Sequence, residues 1–217
     1  MNTRRAVILD FDGTLVDSAP AVLHGLNLAL RKNGLSPTIP LNHDLIGPPL
    51  RVTLARLTGR EDACLLDVLA ADFKQCYDGD VCLGTRAFPG MGNALDGLAS
   101  RGHELHLATN KRSIPTRLIV EQLGWTGLFT SLYCMDEHPD CKKKAQLLGK
   151  ILSEHGLIAT ETAYVGDVES DSISAQLNSM PYIHAAWGYG SLSDPARARI
   201  CASPGQLLGM IDRSARN

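Results

Sequence analysis

Two carboxylates, Asp10 and Asp12, are separated by a single residue in the run Ala6-Val7-Ile8-Leu9-Asp10-Phe11-Asp12-Gly13-Thr14-Leu15. The apolar residues before them read as a short buried strand, and Gly13 lets the backbone turn sharply after the second acid. In open α/β sheets, ligands bind in the crevice beyond the carboxyl ends of the strands. Residues one and three of such a turn can face the same site, so one carboxylate can attack while the other handles a proton. Two anions held this close need a counter-charge, for which a divalent cation is the usual partner. A calcium-binding loop would carry a third oxygen ligand fifth and glycine sixth; here those positions are Thr14 and Leu15, and a strand precedes them. A merely solvated acidic turn is at odds with the apolar strand that feeds it.

Later stretches repeat the form of polar residues just past an apolar run. Leu107-Ala108-Thr109-Asn110 ends in a hydroxyl and an amide, both able to donate to phosphate oxygens beside the amino end of the next helix. Taken alone, Thr109 and Asn110 read equally well as a helix cap. Tyr164-Val165-Gly166-Asp167-Val168-Glu169-Ser170-Asp171 ends in two acids four apart. Asp171 alone would be a cap as well, but beside Asp10 and Asp12, Asp167 becomes a candidate metal ligand. Lys142-Lys143-Lys144 supplies the basic group. A charge run is ordinarily a solvated face, yet a site for phosphate and a carboxylate nucleophile needs a cation, so one lysine is expected to point inward.

The elements that must position these residues can be read coarsely. Ala19 to Gly34 carries apolar residues at helical spacing, and Leu41 to Tyr77 continues in short helical patterns without strand-like runs. Gly84 to Gly90 reads as a turn-rich linker. Beyond it, helices are expected over 91–101, 115–123, 143–155 and 171–178. Strands are expected over 103–109, 132–135, 163–165 and 182–186. Such alternation implies a parallel sheet with right-handed crossovers. The expected fold class is therefore α/β, a three-layer Rossmann-like core from residues 1–17 and 84–217. A small all-helical cap, residues 18–83, is inserted after the first strand.

Composition sets outer bounds. The 217 residues suffice for one good-sized domain or two unequal ones, and 44% hydrophobic residues fit an ordinary globule. A net charge of −2 leaves no basic footprint for nucleic acid or an anionic membrane surface. Neither a transmembrane run nor a signal peptide is evident, which makes the cytoplasm the expected location. The six cysteines lack CxxC spacing, which argues for free thiols in a reducing compartment rather than structural zinc. The acidic stretch 136–141, with its proline, reads as a solvated loop. Composition sets no oligomeric state.

The Asp-x-Asp-Gly-Thr run closely resembles the signature of the haloacid dehalogenase-like hydrolases. Thr109, the lysine run and the Gly166-Asp167…Asp171 stretch follow in that family's order along nearly the whole chain. The resemblance implies an Mg²⁺-dependent phosphatase acting on a small phosphorylated metabolite. Asp10 would form an aspartyl phosphate and Asp12 would serve as acid and then base. Mg²⁺ would be held by Asp10, the Asp12 carbonyl and Asp167. Thr109, Asn110 and one lysine would bind phosphate oxygens. The functional lysine of such enzymes opens the helix before the Gly-Asp strand; Lys144 fits that place, since Leu147, Leu148 and Ile151 then form the buried face, with Lys143 the alternative. Asp171 would orient that lysine or a metal-bound water. The family's common Lys-Pro pair is absent, Ala145 standing where the proline would be.

Asp12 argues against dehalogenase chemistry, which needs no acid at that position. A sugar phosphomutase of the same family and a non-enzymatic phospho-acceptor receiver are the alternatives; receivers are about half this size and lack an insert after the first strand. Thr109-Asn110-Lys111 and Gly47-Pro48-Pro49-Leu50 are similar to phosphoglycolate phosphatase-type members. Arg51, just after that turn, is expected either to receive a substrate carboxylate bidentately or to lie on the solvated surface of its helix.

Overall fold

The short apolar runs assemble into one parallel sheet. In the computed structural model, which describes residues 6–195 and 199–214, the strand order is β5 (Ser131–Cys134), β4 (Glu104–Thr109), β1 (Ala6–Leu9), β6 (Ala163–Gly166), β7 (Tyr182–Ala185) and β8 (Arg199–Cys201). Every neighbouring pair is parallel. All four residues of β1 are buried, as a central strand covered on both faces requires. Its side chains alternate between two cores. Val7 and Leu9 join Leu105, Leu107, Val165 and Ile183 beneath α4 (Met91–Ser100), α5 (Ser113–Gln122) and α8 (Pro204–Ser214). Ile8 joins Ala108 and Tyr164 beneath α6 (Lys144–Glu154) and α7 (Glu169–Leu177).

The chain runs outward from β1 to β4 and β5, crosses back to β6 on the other side of β1, and continues to β7 and β8. Helices α6 and α7, on either side of β6 in sequence, cover one face, while α4, α5 and α8 cover the other. The direction of winding therefore reverses at β1 and β6, which opens a crevice at the carboxyl ends of these strands.

Past the acidic turn, β2 (Val16–Asp17) forms a two-residue antiparallel ladder with β3 (Arg86–Ala87), pairing Val16 with Ala87 and Asp17 with Arg86. Between them lie α1 (Ala19–Lys32), α2 (Leu50–Thr58) and α3 (Ala63–Tyr77), with short 3₁₀ turns. α1 buries Leu26, Ala29 and Leu30, α2 buries Leu54 and Leu57, and α3 buries Leu66, Leu69, Phe73 and Tyr77. These are the periodic apolar positions of three amphipathic helices. The stretch expected to be a turn-rich linker thus contains a strand, since two residues are too few to show alternation. Helix α7 also starts earlier than its apolar spacing indicates, at Glu169. All six cysteines are free. No helix among the described residues is long and apolar enough to cross a membrane.

Candidate active site

The acidic turn is wound around one carbonyl. Phe11 C=O accepts from Leu15 N–H at 2.9 Å and from Val16 N–H at 3.1 Å, while Gly13 N–H donates to Val16 C=O at 2.9 Å. The Phe11 ring is fully buried and anchors this turn in the core. Gly13 sits at φ +81°, and a Cβ there would lie 2.2 Å from Oδ2 of Asp167, so both conformation and space demand glycine. Asp10 and Asp12 emerge from this turn into a cavity of about 310 Å³ at the carboxyl ends of β1, β4 and β6.

Lysine 144, the first residue of α6, reaches the same place. It is 8% exposed, and its ammonium donates to Asp10 Oδ1 at 2.6 Å and to Ala108 C=O at 3.3 Å. It stands 3.4 Å from Asp171 Oδ1. Lys142 and Lys143 are exposed, and their backbone amides donate to the Gln146 side chain at the start of the helix. Asp171 is held by Tyr164, whose hydroxyl donates to its Oδ1 at 2.8 Å. Asp167 accepts from Thr14 Oγ1 at 3.0 Å and from Tyr189 N–H at 2.9 Å.

Carboxylate oxygens of Asp10, Asp167 and Asp171 lie within 4.8 Å of one another, and all three residues are buried. Burial pushes the Asp10 carboxyl well above the ordinary carboxylate range; Lys144 opposes this, and the charges of Asp171 and Asp167 add to it. Burial likewise lifts Asp167 up to about 6 against the donors Tyr189 and Thr14. Burial also acts to lower the Lys144 pKa, but Asp10 and Asp171 more than reverse it and hold the ammonium charged. Three acids thus share one lysine. Hard oxygen donors with excess negative charge suit a divalent cation of the Mg, Ca or Mn type, so the residues present fit a metal.

Thr109, at the end of β4, is buried, and its hydroxyl oxygen accepts from Lys111 N–H at 3.0 Å, leaving the O–H free to donate elsewhere. Thr109 and Asn110 line the cavity together with Ile46, Gly47 and Pro48 from the helical insert. Arg51 does not. It lies half-exposed on α2 and pairs with Asp67 of α3. The expected acidic loop is present too: Asp136 is exposed and accepts from Ser113 N–H at 2.9 Å, capping α5.

Three residues of the site were given no role by sequence, although Lys111 was noted within the Thr109-Asn110-Lys111 stretch. Lys111 donates to Asp12 Oδ1 at 3.0 Å and to the Tyr77 hydroxyl at 2.7 Å. Tyr189, after β7, lines the cavity; its hydroxyl donates to Asp17 Oδ1 at 2.8 Å and accepts from Ala19 N–H at 2.9 Å. Trp187 Nε1 donates to Thr14 C=O at 2.9 Å. Their common signal is position, since each falls just past the carboxyl end of a parallel strand.

Residues 7–185 match the haloacid dehalogenase-like hydrolase family. The phosphoglycolate phosphatase of Xanthomonas campestris pv. campestris (strain 8004) is 35% identical over 193 residues, covering 87% of this chain and 86% of that one. A 5'-nucleotidase of Pseudomonas aeruginosa is 26% identical over 211 residues, 95% of each chain. Among solved structures, a predicted phosphoglycolate phosphatase from Haemophilus somnus 129pt superposes with a TM-score of 0.86 at 21% identity, covering 97% of this chain and 99% of that one. The chain belongs to the haloacid dehalogenase-like hydrolases and is a phosphatase of that family. The receiver alternative falls with this match.

Proposed function

We propose that this phosphatase is Mg²⁺-dependent and hydrolyses a small phosphomonoester through an aspartyl phosphate on Asp10. The observation that carries the reading is the pairing of Asp10 and Asp12 on one turn, both lining a cavity that Lys144, Asp167 and Thr109 also line. A carboxylate nucleophile needs positioning rather than activation by a base, and the Lys144 ammonium at 2.6 Å both positions Asp10 and favours its anion. Its carboxylate attacks phosphorus as the bond to the leaving alcohol breaks, and Asp12 gives that alcohol a proton. Asp12 then takes a proton from water, which attacks the same phosphorus and frees Asp10. Thr109, Asn110 and Lys144 hold the equatorial oxygens, where transition-state charge spreads, and Asp171 orients Lys144. Asp10, Asp167 and the Asp12 carbonyl would hold Mg²⁺, with Asp171 beside them, and the bound ion supplies charge that screens the repulsion between nucleophile and phosphate.

Residues 1–17 and 84–217 form the catalytic core in this reading, and 18–83 the cap that selects the substrate. A cavity of about 310 Å³ suits a compact ester. Together with the phosphoglycolate phosphatases among the relatives, this favours a phosphoglycolate-type or sugar phosphate substrate. Assay of a phosphoester panel tests the proposal. Turnover should vanish with a chelator and return with Mg²⁺, and Asp10→Asn should lower it by about 10⁴-fold or more while the thermal melt is kept. Near-normal turnover in that variant would sink the mechanism.

A further inference from the structure

The ammonium of Lys111 has no part in the steps above, yet it is built into the junction between the sheet and the helical insert. Its side chain is 6% exposed, and it donates to Asp12 Oδ1 at 3.0 Å and to the Tyr77 hydroxyl at 2.7 Å. The same nitrogen lies 4.7 Å from the centre of the Tyr77 ring. Tyr77 is the last residue of α3, and the next residue, Asp78, forms a two-pronged ion pair with Arg112, the residue after Lys111. Consecutive residues from the insert and from the loop after β4 are therefore joined twice, and one of the joints ends on Asp12.

Taking an ammonium out of water is costly unless it is paired, and an apolar side chain of similar size commonly packs such a place as well or better. Packing alone therefore does not call for a lysine here; a fixed partner for Asp12 does. We propose that Lys111 is the positioning residue for Asp12, occupying Oδ1 so that Oδ2 handles the proton, and that Tyr77 makes this arrangement depend on the docking of α3. The proposal rests on the phosphatase reading. As the bond from Asp10 to phosphorus forms and the phosphorus–alcohol bond breaks, the proton on Oδ2 passes to the departing oxygen, and water restores it in the second step. With α3 displaced, Lys111 loses its second acceptor and Asp12 its fixed orientation, so an undocked insert leaves Asp12 a poor acid.

Loss of Lys111 should penalise leaving groups in proportion to their need for a proton. Release of the leaving group in the first turnover is measured for phosphoglycolate and glycerol 3-phosphate, whose alcohols need one, and for 4-nitrophenyl phosphate, whose phenolate does not. Lys111→Met should slow the two alkyl esters by about 100-fold or more and the aryl ester by less than about fivefold, with KM changed by less than about threefold. Tyr77→Phe, which keeps the ring and removes the acceptor, should show the same selectivity at about a tenth of the size, and decides the matter if Lys111→Met does not fold. Lys111→Arg should recover part of the alkyl-ester rate. Equal losses on all three esters, or no loss on any, would overturn the proposal. So would a rise in KM confined to phosphoglycolate, which would make Lys111 a receptor for the substrate carboxylate. Wild-type protein that releases none of the three leaving groups removes the small-phosphomonoester reading proposed above, and this proposal with it.

Discussion

The crevice at the carboxyl ends of the strands and the outer surface of the helical insert use charge in opposite ways. Asp10, Asp167 and Asp171 are between 1% and 7% exposed, and each is gripped by donors from other elements: Lys144, Thr14, Tyr189 and Tyr164. Arg51 and Asp67, and Lys32 and Asp72, pair on the insert with at least one partner half in solvent. Exposed pairs of this kind contribute little, because water and salt compete for both partners. Buried ones are costly to assemble and more costly to break. Charge that must hold a geometry is therefore placed where the backbone has already excluded water, and the insert is left with charges that can change at little cost. Where the two regions meet, through Lys111 and Arg112, the pairs are again mostly buried.

Removing the crevice lysine is the strongest challenge to this contrast. Lys144→Ala should cut turnover by about 10²- to 10³-fold, as loss of a preorganised donor to developing charge does. It should also lower stability by about 3 kcal/mol, since Asp10 is left buried without its partner. Lys142→Ala, two residues away and exposed, should change stability by less than about 0.5 kcal/mol and turnover hardly at all. Comparable effects from both, in steady-state assays and denaturant melts, would dissolve the distinction between the two environments.

A second challenge uses pH. His106 on β4 is fully buried, its Nδ1 2.7 Å from Ser131 Oγ and its ring 4.5 Å from that of His155, with Glu104 Oε2 4.0 Å from Nε2. Burial, with His155 adding to it, lowers its pKa to about 4 from the usual 6.5. The unfolded chain therefore takes up a proton at a pH where the folded one refuses it. The contribution of this neutral histidine is whole above pH 6.5 and is lost as pH falls towards 4, by about 2 to 3 kcal/mol. Chemical denaturation across that window should show the loss, and His106→Asn should flatten it. An unchanged slope in the variant would assign the pH dependence elsewhere. Smallest of all, Arg51→Ala should leave KM within about twofold for esters with and without a carboxylate, and the melting temperature within about 2 °C. A selective rise in KM for the carboxylate-bearing ester would bring Arg51 back to the cavity.

The parts of this architecture that repeat were legible in the sequence. Asp10, Thr109 and Asp167 each close an apolar run that local periodicity reveals; Lys144 followed from the place of the lysine in the family it resembles, with Leu147, Leu148 and Ile151 phasing the helix beneath it and Lys143 the alternative. The insert showed itself as helical spacing without strands. What stayed hidden depends on partners far along the chain. The β2–β3 ladder is too short to carry a period, and nothing near Arg51 reveals that Asp67 is its neighbour. Lys111 was visible only as the third residue of a loop; its meaning comes from Tyr77, thirty-four residues earlier and on another element. Tyr189 is the same case, because its role is fixed by Asp17 and Asp167 rather than by its own surroundings in sequence.

The loop carrying Trp187 and Tyr189 closes onto residues made long before it. Its bonds to Thr14, Asp17 and Ala19 span 170 to 173 positions, and contacts of such separation are the slow ones to form. At a synthesis rate of 5–20 residues per second, the acidic turn leaves the ribosome roughly 10 to 30 s before the loop that crowds Asp167 exists. During that interval the nascent protein owns its nucleophile but not the clasp that shapes the pocket around it. Maturation of this enzyme is thus timed by its last strands, and a chain that stalls before residue 187 is a complete insert on an incomplete catalyst.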